Sequence, residues 1–477
     1  MTVVAAVDIG ASSGRVLAAC LEDGVPVARE IHRFRNGPIA FGDRWVWPID
    51  DLLTEVTRGL ALAATQGARA CGIDTWALDY AVIDPIGRQI GPVYAYRDGH
   101  HVQGIPIVRD RLSWADQYRI TGIQDMPINT IYQIVSEDPN RVRADNRMLL
   151  VPDFINHYLT GFIGTEITNA STTSLVDPRL RNWAPDLLTH VGIPAAFLPD
   201  VHEPGRFIDH SRIPQTESLS VISVATHDTA SAFAGTPIAN REDAMVVSLG
   251  TWALVGYEST VADPNPRSAE INLTHELGVE GTVRCLRNVV GMWLFEECRR
   301  SWEATNGAAI DPAVLLGQAA DSPGFLGIID VDHPELASPG QTPAGIKDKI
   351  TGRLPEDRAA LVRILLDSLV ARLASQITAI EAISERPRPV LHVVGGASRI
   401  DFLMQWLADA TDKEVIAGPV EAASLGNAAV QWCVLGEFTG ISEARKAIAD
   451  MTEIRRKTPS GNRERWREFA GLQGWEI

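Results

Sequence analysis

Asp8 stands just after an apolar run at residues 3–7 and is followed by Gly10-Ala11-Ser12-Ser13-Gly14 and then Arg15. A buried strand that ends on a carboxylate and turns through small hydroxyl residues can serve a phosphate in two ways. The turn aims backbone N–H groups and Ser hydroxyls at the phosphate, and Asp8 holds a magnesium ion, directly or through water. Two commoner phosphate motifs are excluded. No Lys-Ser/Thr follows the glycines, as a P-loop requires, and Gly10 and Gly14 lack dinucleotide spacing. Taken alone, the stretch is as readily an ordinary hairpin, because the chain resumes as a second apolar run, Val16-Leu17-Ala18-Ala19.

Residues 245–255 repeat the arrangement, with Gly250 and Thr251 between two apolar runs. Two like hairpins heading two halves point to a duplicated domain with a cleft between. A third candidate, Thr226-His227-Asp228-Thr229, closes an apolar strand at 219–225 and opens a helix at Ala230, Ser231 and Ala232. The helix dipole favours Asp228 as the anion, so it remains a proton acceptor at neutral pH. That suffices for phosphoryl transfer, whose loose transition state needs the base chiefly to orient the nucleophile. An isolated Asp in this position is more often a plain N-cap. Trp76 and Asp79 fall just beyond a strand at 71–75, at the edge where ligands of α/β sheets bind. Core packing for Trp76 and a turn for Asp79 are equally open.

These residues need elements to carry them. A strand at 25–34 continues the first sheet, and Asp50 or Asp51 caps a helix whose Leu52, Leu53, Val56 and Leu60 recur at helical spacing. The order of hairpin, strand, helix and strand predicts an α/β domain. Residues 93–220 read as an insertion richer in helix, covering a pocket. His100 and His101 diverge as sequence neighbours and read as solvated surface. Leu361, Leu365, Leu369, Leu373, Ile377 and Ile380 predict an amphipathic helix, ended by Pro387 and Pro389. A strand at 390–394 then feeds Gly395 and Gly396, whose glycines permit close approach to a nucleotide, and strand, loop and helix recur at 415–432. The tail at 455–475 reads as surface.

The 477 residues leave room for two domains, and the net charge of −17 argues against nucleic acid or an anionic membrane as partner. Five scattered cysteines without CxxC spacing suggest reduced cytoplasmic thiols rather than a zinc site or a disulfide scaffold. No basic region precedes the first apolar run and Asp8 interrupts it, so neither signal peptide nor membrane span is expected.

GASSGR at 10–15, GIDTWALDY at 72–80, AYRD at 95–98, THDTASA at 226–232, SLGTWAL at 248–254, HVVGGAS at 392–398 and GPVEAASLGN at 418–427 together resemble the FGGY carbohydrate kinases. The likeness runs in order over nearly the whole chain and is strongest to the members that act on L-rhamnulose. It implies an α/β fold of two actin-like (ribonuclease H-like) ATPase domains with an interdomain cleft, the sugar-binding one at 1–236 and the nucleotide-binding one at 237–477. It further implies ATP and Mg2+ as cofactors and a ketose as acceptor, phosphorylated at its primary hydroxyl. By resemblance Asp228 is the proton acceptor, and Trp76, Ala77, Asp79, His227, Thr229 and Asn288 meet the sugar. Ala11, Ser12, Ser13, Gly14, Arg15, Thr251, Glu296 and Gly396 meet ATP, and Asp8 the metal. Two departures matter. Ala77 replaces a family Gly, which keeps L-fuculose open beside L-rhamnulose, and Glu296 replaces a Gln, where a carboxylate would repel phosphate unless paired. Kinases of ribulose, xylulose or glycerol, and a nucleotide-dependent regulatory protein of the actin type, are the alternatives. A monomer or homodimer is expected, without nucleic acid or membrane partners.

Overall fold

The computed structural model of the chain describes residues 2–336, 340–451 and 453–477. The chain divides into two compact units that interleave along the sequence. The first comprises Met1–Ala239, Glu258–Cys285 and Glu421–Thr452, and the second Asn240–Tyr257, Leu286–Val420 and Glu453–Ile477.

The first unit is built on a six-stranded sheet in the order Arg206–His210, Ser220–Ser223, Ala68–Thr75, Val3–Ile9, Ser13–Glu22, Val25–Arg35. Val3–Ile9 runs antiparallel to Ser13–Glu22 and parallel to Ala68–Thr75, in a register that sets Asp8 opposite Asp74. Because side chains alternate across a strand, the two faces of the central strand feed different layers. Ala5, Val7 and Ile9 pack with Leu52, Leu53, Val56 and Leu60 of the helix Ile49–Thr65. Val4 joins Ala70, Ile222, Val224 and the helix residues Ala428, Ala429 and Trp432 on the other face. Burying each such Val or Leu contributes about 1.5–3 kcal/mol. Asp8 and Asp74 share the parity of the second face and therefore meet the helix Ala422–Val434.

That helix crosses Asp228–Ala234 closely, which small residues permit. A Cβ on Gly426 would lie 1.8 Å from the Ser231 carbonyl oxygen, and one on Gly235 would lie 2.1 Å from that of Ala422.

The second unit centres on the hairpin Ala244–Leu249 and Trp252–Ser259. Val390–Val394 pairs parallel to its first strand, Glu414–Ala417 parallel to that, and Arg455–Lys457 antiparallel at the edge.

Four expectations are corrected. The first helix starts at Ile49 with Pro48 at its N-cap, so Asp50 and Asp51 lie in the first turn, where they still favour the dipole. The helix Arg358–Ser384 is not amphipathic. It is buried around most of its circumference, because helices Pro312–Asp321, Asp401–Thr411 and Arg463–Gly471 surround it. Its buried Arg363 is satisfied by Asp367 (2.9 Å) and the Ser322 carbonyl (2.7 Å). The tail is not bare surface, since Trp466 and Phe469 are buried and pack edge-on against Phe325. His101 is buried as well, in a polar cavity with Arg44, Tyr80, Tyr94 and Glu137, where burial holds its pKa down to about 4. Among the described residues no helix is long and apolar enough to cross a membrane.

Candidate active site

The turn after Asp8 is a closed loop. Gly10 N–H donates to the Ser13 carbonyl (2.9 Å), and the Asn36 side chain donates to the Gly10 carbonyl (2.8 Å). Ala11 and Ser13 are half-buried and Ser12 is exposed at its tip. Gly14 serves packing, for a Cβ there would lie 2.1 Å from the Phe34 ring. Arg15 folds back on Asp8, with Nε at 3.1 Å and Nη2 at 2.8 Å from Oδ2, and its Nη1 pairs with Glu421. Burial works against the Arg15 charge, but Asp8 and Glu421 more than offset it and hold the guanidinium above its ordinary range.

Ser424 Oγ also donates to Asp8 Oδ2 (3.1 Å), and Asn427 Nδ2 to Asp74 Oδ2 (2.6 Å). Asp74 is fully buried and its Oδ1 has no hydrogen-bond partner. Burial first, then the charge of Asp8, pushes its pKa well above the usual carboxylate range. Asp74 has no assigned role in the sequence reading. Its signal is a carboxylate in an apolar strand, one position short of the sheet's carboxyl edge.

At that edge Thr75 N–H donates to the Thr226 carbonyl (2.9 Å) and Trp76 N–H to the Ile9 carbonyl (3.0 Å), so three strand ends are tied together. The Thr226-His227 segment is held from beneath by buried Glu166. Its Oε2 accepts from Thr226 N–H (2.9 Å), Thr226 Oγ1 (2.9 Å) and Thr168 Oγ1 (2.5 Å). Asp228 is the first residue of the helix Asp228–Ala234, with His227 at the N-cap. Its Oδ1 accepts from Thr229 Oγ1 (3.1 Å) and lies 3.4 Å from His227 Nε2. Burial raises the Asp228 pKa, His227 opposes the rise and Asp8 adds to it.

Trp76 and Asp79 belong to a buried knot. Asp79 Oδ2 accepts from Trp47 Nε1 (2.6 Å), Trp76 Nε1 (2.9 Å) and Tyr96 N–H (3.2 Å), and Oδ1 from Gln133 Nε2 (3.3 Å). The two indoles lie 4.0 Å apart between ring centroids. Ala77 is half-buried beside this knot, and Leu78 has φ +81°, a left-handed conformation that costs a branched-chain residue energy. The Leu78 carbonyl accepts from Thr130 Oγ1 (2.7 Å). Trp47 and Gln133 escaped the sequence reading as site residues, since nothing local ties them to Asp79.

The second unit holds Thr251, Asn288, Glu296 and Gly396. Gly291 N–H donates to the Thr251 carbonyl (3.1 Å) and Met292 N–H to that of Gly250 (2.9 Å), so the hairpin turn and the end of the strand Val283–Val290, which carries half-buried Asn288, form one loop cluster. Gly395, with φ +89°, brings the next loop against Leu249, and a Cβ on Gly396 would meet nothing within 4 Å. Glu296 is paired with Arg299 on its own helix (2.7 Å), a guanidinium that it shares with Glu303 (2.6 Å).

Comparison with known proteins decides the family. Residues 3–235 match the N-terminal domain of the FGGY family of carbohydrate kinases and residues 245–434 its C-terminal domain. The chain belongs to this family. As an FGGY kinase it is a sugar kinase, 35% identical over 478 residues to a rhamnulokinase of Klebsiella pneumoniae, covering 98% of this chain and 97% of that one. It is 34% identical over 464 residues to a rhamnulokinase of Bacillus subtilis, covering 95% of each. Its fold is that of solved sugar kinases. A ligand-bound xylulose kinase from Lactobacillus acidophilus superposes with a TM-score of 0.81 at 15% identity, covering 99% of this chain and 97% of the other. Plasmodium falciparum glycerol kinase with ADP gives 0.80 at 13% identity, with the same coverage. These likenesses bear out the α/β two-domain kinase expectation.

Proposed function

We propose that this kinase transfers the γ-phosphoryl group of ATP to the 1-hydroxyl of L-rhamnulose. The observation that carries the reading is the 35% identity over nearly the whole chain to proteins named rhamnulokinase. Asp228 is the proton acceptor: Thr229 Oγ1 donates to its Oδ1 and His227 Nε2 lies 3.4 Å from the same oxygen, so Oδ2 takes the acceptor hydroxyl and aligns its oxygen with phosphorus. Trp76, Ala77, Asp79, His227, Thr229 and Asn288 are the sugar contacts. Ala11, Ser12, Ser13, Gly14, Arg15, Thr251, Glu296 and Gly396 are the ATP contacts, with Arg15 exchanging a carboxylate partner for phosphate.

Buried oxygen ligands in excess of cations fit a hard divalent ion at Asp8. Asp8, Asp74 and Glu421 surround the one guanidinium of Arg15, and Asp74 Oδ1 is unpartnered. Magnesium is commonly bound by one or two carboxylates together with phosphate and water. When bound, magnesium neutralises charge developing on the phosphoryl oxygens. Solubility in the cytoplasm accompanies the reading. A coupled ADP-release assay over L-rhamnulose, L-fuculose, L-ribulose, D-xylulose and glycerol tests it. The highest kcat/KM is expected for L-rhamnulose. A higher value for L-fuculose would show that the Ala77 methyl and the Leu78 turn reshape the pocket, and a higher value for any other acceptor would overturn the assignment.

A further inference from the structure

Arg284 lies in the strand Val283–Val290, is wholly buried, and touches none of the groups assigned to sugar, ATP or metal except His227. Its Nε and Nη2 donate to the Leu277 carbonyl at 3.3 and 3.1 Å, and Nη2 reaches the Thr168 carbonyl at 3.4 Å. Both Nη1 and Nη2 lie 3.3 Å from His227 Nδ1. Glu276 is the counter-charge, with Oε2 at 3.1 Å from Arg284 Nη1. That oxygen is also 3.4 Å from His227 Nδ1, the same distance as Asp228 Oδ1 from Nε2.

A guanidinium has donors and no acceptor, so the ring nitrogen it meets must offer a lone pair. Nδ1 is then bare and the ring proton stands on Nε2. Nε2 in turn faces Asp228 Oδ1 at 3.4 Å, the oxygen that Thr229 Oγ1 also holds. In the other tautomer an N–H would point at the guanidinium and a lone pair at Asp228; Glu276 Oε2, 3.4 Å from Nδ1, would gain a donor, against two guanidinium N–H groups at 3.3 Å that would lose their acceptor.

We infer that Arg284, balanced by Glu276, is a positioning residue that fixes the Nε2–H tautomer of His227. The ring thereby donates to Asp228 Oδ1 and leaves Oδ2 for the acceptor hydroxyl. The inference rests on the reading of Asp228 as proton acceptor, and it extends the site to a cation and a carboxylate that touch neither substrate.

The test begins with the full-length protein labelled with 15N-histidine, its His227 signals assigned by their loss in His227→Gln. Ring-nitrogen shifts distinguish the tautomers. The Nε2-protonated form is expected, and an Nδ1-protonated ring overturns the inference. In Arg284→Met a mixture of tautomers is expected, with kcat on L-rhamnulose lowered about tenfold, as for loss of a hydrogen bond to a charged group, and KM for ATP unchanged. In the His227→Gln background the same substitution should cost no further rate. An unmoved tautomer in Arg284→Met, or an equal loss in both backgrounds, overturns the inference. If Arg284→Met does not fold, the wild-type spectrum decides alone. Asp228→Asn separates the two claims. Its inactivity beside an Nδ1–H ring sinks only the positioning role, whereas wild-type activity sinks the role of Asp228 and with it the purpose assigned to the tautomer.

Discussion

Asp79 makes the stability of this kinase depend on pH in a direction opposite to that of most paired carboxylates. The side chain is 1% exposed, and burial pushes its pKa up to about 7 even though Trp47, Trp76, Tyr96 and Gln133 all donate to it. Its ordinary value is 3.8. Between those values the folded chain binds a proton that the unfolded chain has released. Stability therefore falls as pH rises through that window and levels off above it. Three units at about 1.4 kcal/mol each set a ceiling of about 4 kcal/mol. Asp79→Asn removes the titration and keeps the main acceptor, because an amide oxygen in the place of Oδ2 still takes both indole N–H groups and the Tyr96 amide. The new NH2 faces Gln133 Nε2, which stays on the Ile128 carbonyl (3.0 Å), so the variant loses the 3.3 Å contact as a cost that does not vary with pH. Urea unfolding of wild type and variant at pH 5, 6, 7 and 8 measures the effect. Over pH 5–8, which leaves out the part of the window below pH 5, the wild type should lose up to about 3 kcal/mol relative to the variant, most of it below pH 7. A difference that is flat or grows with pH would refute the argument that desolvation outweighs the four donors.

Asp228→Asn should lower kcat by about 10²–10⁴-fold with the KM for ATP nearly unchanged, read in the ADP-release assay, and wild-type turnover would remove Asp228 from the mechanism. Gly426→Ala drives a methyl to within 1.8 Å of the Ser231 carbonyl on the helix that begins at Asp228. It should cost about 3 kcal/mol in chemical denaturation and lower kcat as well, whereas stability within about 0.5 kcal/mol of wild type would mean the crossing is not sterically set.

Much of the frame was legible because local periodicity and turn chemistry decide it. The alternation at 3–9, the hairpins after Asp8 and Leu249, and the helix opening at Asp228 each follow from a few neighbouring residues. What escaped depends on what faces a residue across the fold. Arg15 sits beside a turn suited to phosphate, but its partners are Asp8 and Glu421, the latter more than 400 positions on, in the segment Glu421–Thr452 that returns to the first unit. His101 and Trp466 look like surface until the layers over them are known. Arg358–Ser384 gave a stripe at helical spacing, yet neighbours on several sides bury polar residues that the stripe left outside.

Arg284 marks where the reading was improvable. It stands in Val-Arg-Cys-Leu, between apolar residues of a strand, where a charge is admitted only with a buried partner. The only acid within ten positions before it, besides exposed Glu280, is Glu276 in Thr-His-Glu-Leu, again a charge among residues of a buried strand. Two opposite charges in adjoining apolar segments point to an ion pair inside the protein. Such a pair costs desolvation energy, and a hydrophobic pair of similar volume would pack as well. What the ion pair adds is directional: donors aimed at one nitrogen of one histidine, so that the other nitrogen meets the carboxylate beside it.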